Sequence, residues 1–195
     1  MAARAKASPR LDRARWIEAA LEAIETGGPD AVAIVPLARR LGVTKGSFYW
    51  HFSDRRELLR AALDAWLERY TAEPEKRFGA ISDPRERLRC LFSNAVLDVR
   101  PTVIVQLLAR VDDPDIAAVV RQASERRIGL LARGYRELGL PPAQARDQAL
   151  LAYSSFLGFA QLVRDPPRAL AGDRQVRRLL EHALTALVDL PEPSR

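Results

Sequence analysis

An all-α fold of about nine helices is what this sequence predicts, on three observations. Apolar residues recur at helical spacing through most of the chain, no segment alternates as a strand requires, and Gly and Pro clusters cut the rest into helix-sized pieces. The 195 residues are 48% apolar and 29% charged, a globular composition. The single cysteine, Cys90, cannot form an internal bridge, which fits a reducing, cytoplasmic setting. The basic start MAARAKASPR leads into no apolar signal core, and no uncharged apolar run reaches the roughly 18 residues of a membrane span, so no membrane partner is expected. Of the net charge of +6, +4 falls within the first sixty residues, a local field suited to an anionic polymer.

Ile17, Ala20, Leu21 and Ile24 mark a first helix over Asp12 to Thr26, stopped by Gly27-Gly28-Pro29. A short second helix is expected from Pro36 to Leu41, with the proline in the first turn, where its missing N–H matters little. Thr44 is placed to cap a third, Lys45 to Phe52, by accepting from the Ser47 N–H. Asp54 caps a fourth, and Glu57 completes a capping box. Leu59, Leu63, Trp66 and Tyr70 form its stripe until Pro74 and Gly79 interrupt it. Asp83-Pro84 opens a helix running past Val99, Pro101 begins a short one, and Asp113-Pro114 opens another reaching about Leu138. A further helix runs to Val163 before Asp165-Pro166-Pro167, and the last follows Gly172 with Val176, Leu180, Ala183, Leu184 and Leu187 on one side. The expected domains are 1–55, with a basic arm over 1–11, and 56–195.

Between Leu37 and Phe52 the spacing is that of a helix-turn-helix. Small Ala38 permits close helix approach, Gly42 can take the positive φ of the turn, and Val43 and Phe48 plug the gap between the helices. Phe48 and Phe52, four apart, share a buried face. At 100° per residue Gly46 and Trp50 then point outward, with Ser47, Tyr49 and His51 on the flanks and Lys45 near the edge. Such a surface suits the groove of double-stranded DNA: Gly46 brings the backbone close, Ser47, Tyr49 and His51 can donate to phosphates, and Lys45 and Trp50 can reach base edges.

In Val43-Thr-Lys-Gly-Ser-Phe-Tyr-Trp-His-Phe52, followed by Arg55-Arg-Glu-Leu-Leu59, the chain resembles the tetracycline-repressor (TetR) family of transcriptional regulators, over about Trp16 to Leu59. The resemblance implies phosphate-positioning roles for Thr44, Ser47, Tyr49, His51 and Arg55, and a base-reading surface of Lys45, Gly46 and Trp50. Arg55 stands at a helix start, whose field also favours phosphate. Ala33 and Val35 depart from the family's usual capping hydroxyl and polar residue, which shifts weight to the arm Arg4, Lys6, Arg10, Arg13 and Arg15. That arm reads equally as a solubilising tail. The resemblance further implies a larger helical domain with an effector pocket, its candidate lining Trp66, Phe92, Val96, Leu107, Leu131 and Tyr153, and a homodimer built through the last two helices. In that seam Tyr153-Ser-Ser-Phe-Leu-Gly158 would allow close packing, with the apolar stripe of the last helix completing it. The expected function is a homodimeric repressor of a palindromic operator, released by a small molecule. The alternative is a ligand- or protein-binding helical module with weakened DNA binding.

Catalysis and cofactors are not expected. The sequence has no nucleophile elbow, phosphate-cradling loop or metal triad, and Ser154, Ser155 and His182 have nothing to pair them. His51 has only His182 as a second histidine, so no metal site is expected. Cys90 reads as a small apolar residue, and Asp112, Asp113 and Asp115 read as a helix cap rather than a cation loop.

Overall fold

The computed structural model describes residues 12–97, 102–164 and 172–189. The elements are α1 (Arg13–Gly27), a 3-10 turn (Pro29–Ala31), α2 (Ile34–Leu41), α3 (Lys45–Phe48), α4 (Arg55–Leu67), a π turn (Glu68–Ala72), α5 (Glu73–Gly79), α6 (Pro84–Leu97), α7 (Thr102–Leu108), α8 (Pro114–Glu137), α9 (Pro142–Arg164) and α10 (Asp173–Leu187). With α4, the π turn and α5 running on as one rod, the described residues form nine longer helical segments and no strand. Val99, Pro101, the arm 1–11 and Asp165-Pro166-Pro167 lie outside the described residues.

Three boundaries differ from expectation, each for a local reason. Helix α2 begins two residues early, at Ile34, because extended Ala33 serves as its N-cap, without any side-chain bond, and Pro36 still falls in the first turn. Helix α3 covers only Lys45–Phe48; Tyr49, Trp50 and His51 follow as turns, held by His51 N–H to Phe48 C=O at 2.9 Å and Phe52 N–H to Phe48 C=O at 3.1 Å. Glycine and aromatic residues are poor helix formers, so regular α geometry is not sustained there. Pro74 does not end its helix. The chain widens into the π turn just before it, and the proline falls in the first turn of α5.

The chain divides into two compact units, one ending at Ala65 and the other beginning at Trp66, so the division falls inside α4. In the first unit Trp16, Ile24, Phe48, Phe52 and Leu58 are fully buried, with the Trp16 and Phe48 rings edge to face at 5.3 Å. The Gly42 φ of 68° turns the chain between α2 and α3, where the Val43 N–H reaches the Ala38 carbonyl at 3.0 Å.

In the second unit α8 and α9 pack along one another, and a Cβ on Gly134 of α8 would come within 2.8 Å of Leu88 of α6, so only glycine fits that approach. Helix α10 lies on α6 and α9. The buried Tyr135 hydroxyl donates to the Leu187 carbonyl at 2.8 Å, Gln148 donates to the same carbonyl at 3.1 Å, and Arg85 donates to Val188 C=O at 2.9 Å. Burial raises the Tyr135 pKa to about 12, with Gln148 opposing the shift. The apolar stripe of α10 is buried within the chain itself, at Leu180, Leu184 and Leu187. No single helix among the described residues is long and apolar enough to cross a membrane.

Candidate nucleic-acid interface

Thr44 is extended (φ −79°, ψ 154°), and its Oγ1 accepts from the Ser47 N–H at 3.3 Å, which starts the short α3. From there the helical register places Phe48 inward. Its ring stacks on Phe52 at 5.5 Å, and the Arg13 guanidinium stands 4.7 Å from the Phe52 ring centroid. With both phenylalanines inside, Trp50 projects outward at 87% exposure. Thr44, Lys45, Gly46 and Tyr49 are also exposed, whereas Ser47 and His51 are half-buried on the flanks. A Cβ at Gly46 would meet nothing nearer than Thr44 Oγ1, at 3.7 Å. Packing among the described residues therefore does not demand glycine there.

Arg55 is positioned differently from the other candidates. Its Nε donates to Val32 C=O at 2.6 Å and its Nη2 to Pro29 C=O at 2.7 Å, with Asp30 at 3.9 Å. The guanidinium thus clamps the turn before α2 to the start of α4. Beside it Asp54 Oδ1 accepts from the Glu57 N–H at 2.8 Å. The Glu57 carboxylate accepts from the N–H and hydroxyl of Ser53, at 2.7 and 2.9 Å, one residue earlier than a capping box closes. Those bonds, the backbone one first, lower the Glu57 pKa. Of the basic arm, Arg13 and Arg15 belong to α1, and Arg4, Lys6 and Arg10 lie outside the described residues.

The second unit holds a cavity enclosing about 590 Å³, open solvent at its mouth included. Phe92, Leu131 and Tyr153 line it; Trp66, Val96 and Leu107 are buried but stand off its wall, turned by their helical registers into the surrounding core. The wall also carries Thr71, Asn94 and Arg127, which apolar stripes alone do not point to. A signal for Arg127 exists all the same. Val120, Ala123, Arg127, Leu130 and Gly134 recur at three- and four-residue spacing along α8, so a charge occupies a core register. Among the described residues no cluster of His, Cys, Asp or Glu could hold a metal ion.

Comparison with known proteins agrees with this geometry. Residues 17–62 match the family described as bacterial regulatory proteins, tetR family. A probable helix-turn-helix transcriptional regulator of Pseudomonas putida, ArpR, is 33% identical over 113 residues, 55% of this chain and 54% of its own length. The match therefore spans about half the length of such curated relatives. A TetR transcriptional regulator from Legionella pneumophila superposes with a TM-score of 0.78 at 16% identity, covering 94% of this chain and 99% of that one. AibR, solved with isovaleryl coenzyme A and operator DNA, gives 0.70 at 18% identity over 92% and 98%. At those identities the likeness shows the fold.

Proposed function

We propose, from the match of residues 17–62 to the tetR family of bacterial regulatory proteins, that the chain is a homodimeric repressor reading a palindromic operator and released by a small effector. The observation that carries the reading is the outward surface of Trp50, Gly46 and Lys45 on a segment pinned from behind by Phe48 and Phe52. An exposed indole without a packing partner suits a surface that contacts something else. Lys45 and Trp50 meet base edges, while Thr44, Ser47, Tyr49 and His51 position phosphates. Arg55 acts through the Pro29–Val32 turn, as a positioning residue. The smaller unit is the DNA-reading domain and the larger one binds the effector and the second copy.

Helix α9 exposes Leu150, Leu151, Leu162 and Val163, apolar side chains that support a seam with a second copy. Two readers about 34 Å apart gain a palindrome's affinity through effective concentration. The relatives carry regulator names rather than enzyme names, and one fold neighbour was solved with both a ligand and operator DNA. Because α4 carries residues of both units, it is the lever of release: an effector that alters its course changes reader spacing. Nearly complete switching needs a state preference of about 5.5 kcal/mol.

Fluorescence anisotropy with DNA flanking the protein's own gene tests the reading across a salt series. Tight, sequence-selective binding that falls steeply with salt is expected. Absence of retention at low salt overturns it in favour of a helical binding module, the reading that uncapped Ala33 favours.

A further inference from the structure

Arg127 is a half-buried cation, with its Nη1 atom inside, that the fold satisfies only in part. Its Nη2 donates at 2.9 Å to the Tyr70 carbonyl, the acceptor four residues before Pro74 that a residue with no N–H cannot engage. Its Nη1 is buried with no hydrogen-bond partner of good geometry among the described residues; the Tyr153 hydroxyl, 2.9 Å from Ser124 Oγ, lies near enough to favour the charge. The guanidinium carbon stands 5.2 Å from the Trp66 ring centroid and 5.6 Å from that of Phe156. Aromatic faces favour a desolvated cation, yet they accept no hydrogen bond in the plane of the guanidinium. The preceding Arg126 pairs with Glu75 at 3.1 Å, whereas no carboxylate among the described residues pairs with Arg127. Burial lowers its pKa, but an arginine does not shed its proton, so the charge persists without a counter-ion.

A second orphan lies on the same wall. The Thr71 hydroxyl is buried without a partner, in the π turn that replaces regular helix there. The rest of the lining is largely hydrocarbon and aromatic, including Leu91, Leu130 and Phe156. An adjoining, more open pocket shares Tyr70, Pro74 and Asn94 and adds Arg69, Arg77, Glu73 and Lys76, the last paired with Glu68 at 2.9 Å. A water could satisfy either orphan atom, but it neutralises nothing. An anion answers the charge and both donors together.

Resting on the reading of this cavity as the effector site, we propose that the effector is a small organic acid with an apolar body. Its carboxylate accepts from Arg127 Nη1 and the Thr71 hydroxyl, and its hydrocarbon part lies against the apolar lining, Leu91, Leu130 and Phe156 included.

Calorimetric titration of the full chain with benzoate, phenylacetate and octanoate, each beside its neutral amide, tests this. The best-fitting acid should bind about 10- to 100-fold more tightly than its amide, the range of one charge-assisted hydrogen bond lost at a buried site. Arg127→Met should reduce that preference below about threefold. If that variant does not fold, Thr71→Val, which keeps the guanidinium, should weaken the acid about tenfold. Equal affinity for acid and amide, or no binding by any acid of the series, overturns the proposal. Operator binding measured on the same preparation separates the two readings. Acid preference without operator retention leaves this inference standing and fails the repressor; retention without acid preference does the reverse.

Discussion

The indole of Trp50 and the guanidinium of Arg127 depart from the usual inside and outside in opposite directions, the one 87% exposed and the other hidden against two aromatic faces. Each is proposed to sit where the protein meets something other than itself. They differ in what fixes them. Trp50 points outward because two neighbours on its own segment, Phe48 and Phe52, take the inner face. Arg127 is enclosed by the π turn, α6 and α9, elements far from it in sequence. An exposed apolar group weighs little on stability, whereas a buried charge weighs on both stability and ligand choice.

The strongest way to sharpen that contrast is to compare Phe48 with Trp50. Phe48→Ala should destabilise by about 3–5 kcal/mol, as for a fully buried ring, measured by urea unfolding. Trp50→Ala should stay within about 0.5 kcal/mol of the parent while changing operator preference in the anisotropy assay. An indole whose removal alters neither quantity breaks the comparison. Tyr135→Phe, which leaves Leu187 C=O to Gln148 alone, should cost about 1–2 kcal/mol. The raised Tyr135 pKa gives a sign as well: its contribution is complete below the ordinary tyrosine pKa and is lost as pH climbs through about 12, which an alkaline absorbance titration reads.

Arg55→Ala should cost about 1 kcal/mol by releasing the Pro29 and Val32 carbonyls, and Arg55→Lys should not restore the two-pronged contact. A loss of operator affinity with no loss of stability would instead place Arg55 on phosphate. The smallest effect belongs to Glu57. Its pKa is lowered by Ser53, so its contribution is present above the ordinary carboxylate pKa and fades as pH falls through the lower, folded value. Glu57→Gln should flatten that acid-side slope in thermal melts.

Local rules made much of this chain readable. Thr44 and Asp113 each cap the helix that their side-chain chemistry suggests, and Asp83-Pro84 opens α6. The outward placement of Gly46 and Trp50 follows from two buried phenylalanines four residues apart. Where prediction diverged, a distant group had changed the local balance. Pro74 stays within a helical rod because the chain widens into the π turn before it, where Arg127, far along the chain, donates to Tyr70 C=O. Arg55 faces carbonyls that lie 23 and 26 residues before it. Three of the six cavity candidates miss the wall because helical periodicity marks a buried face but not which part of it borders empty space.

By itself, then, the sequence determined the helices, their caps and the side of α3 that turns to solvent, since these depend on contacts within a few residues. Tertiary structure alone decided that Arg127 and Thr71 share one cavity, that Arg55 clamps a turn, and that the apolar stripe of α10 is buried within its own chain. The physical reason is that burial and hydrogen-bond satisfaction are properties of the space between elements, and chain spacing does not specify that space until the helices have packed.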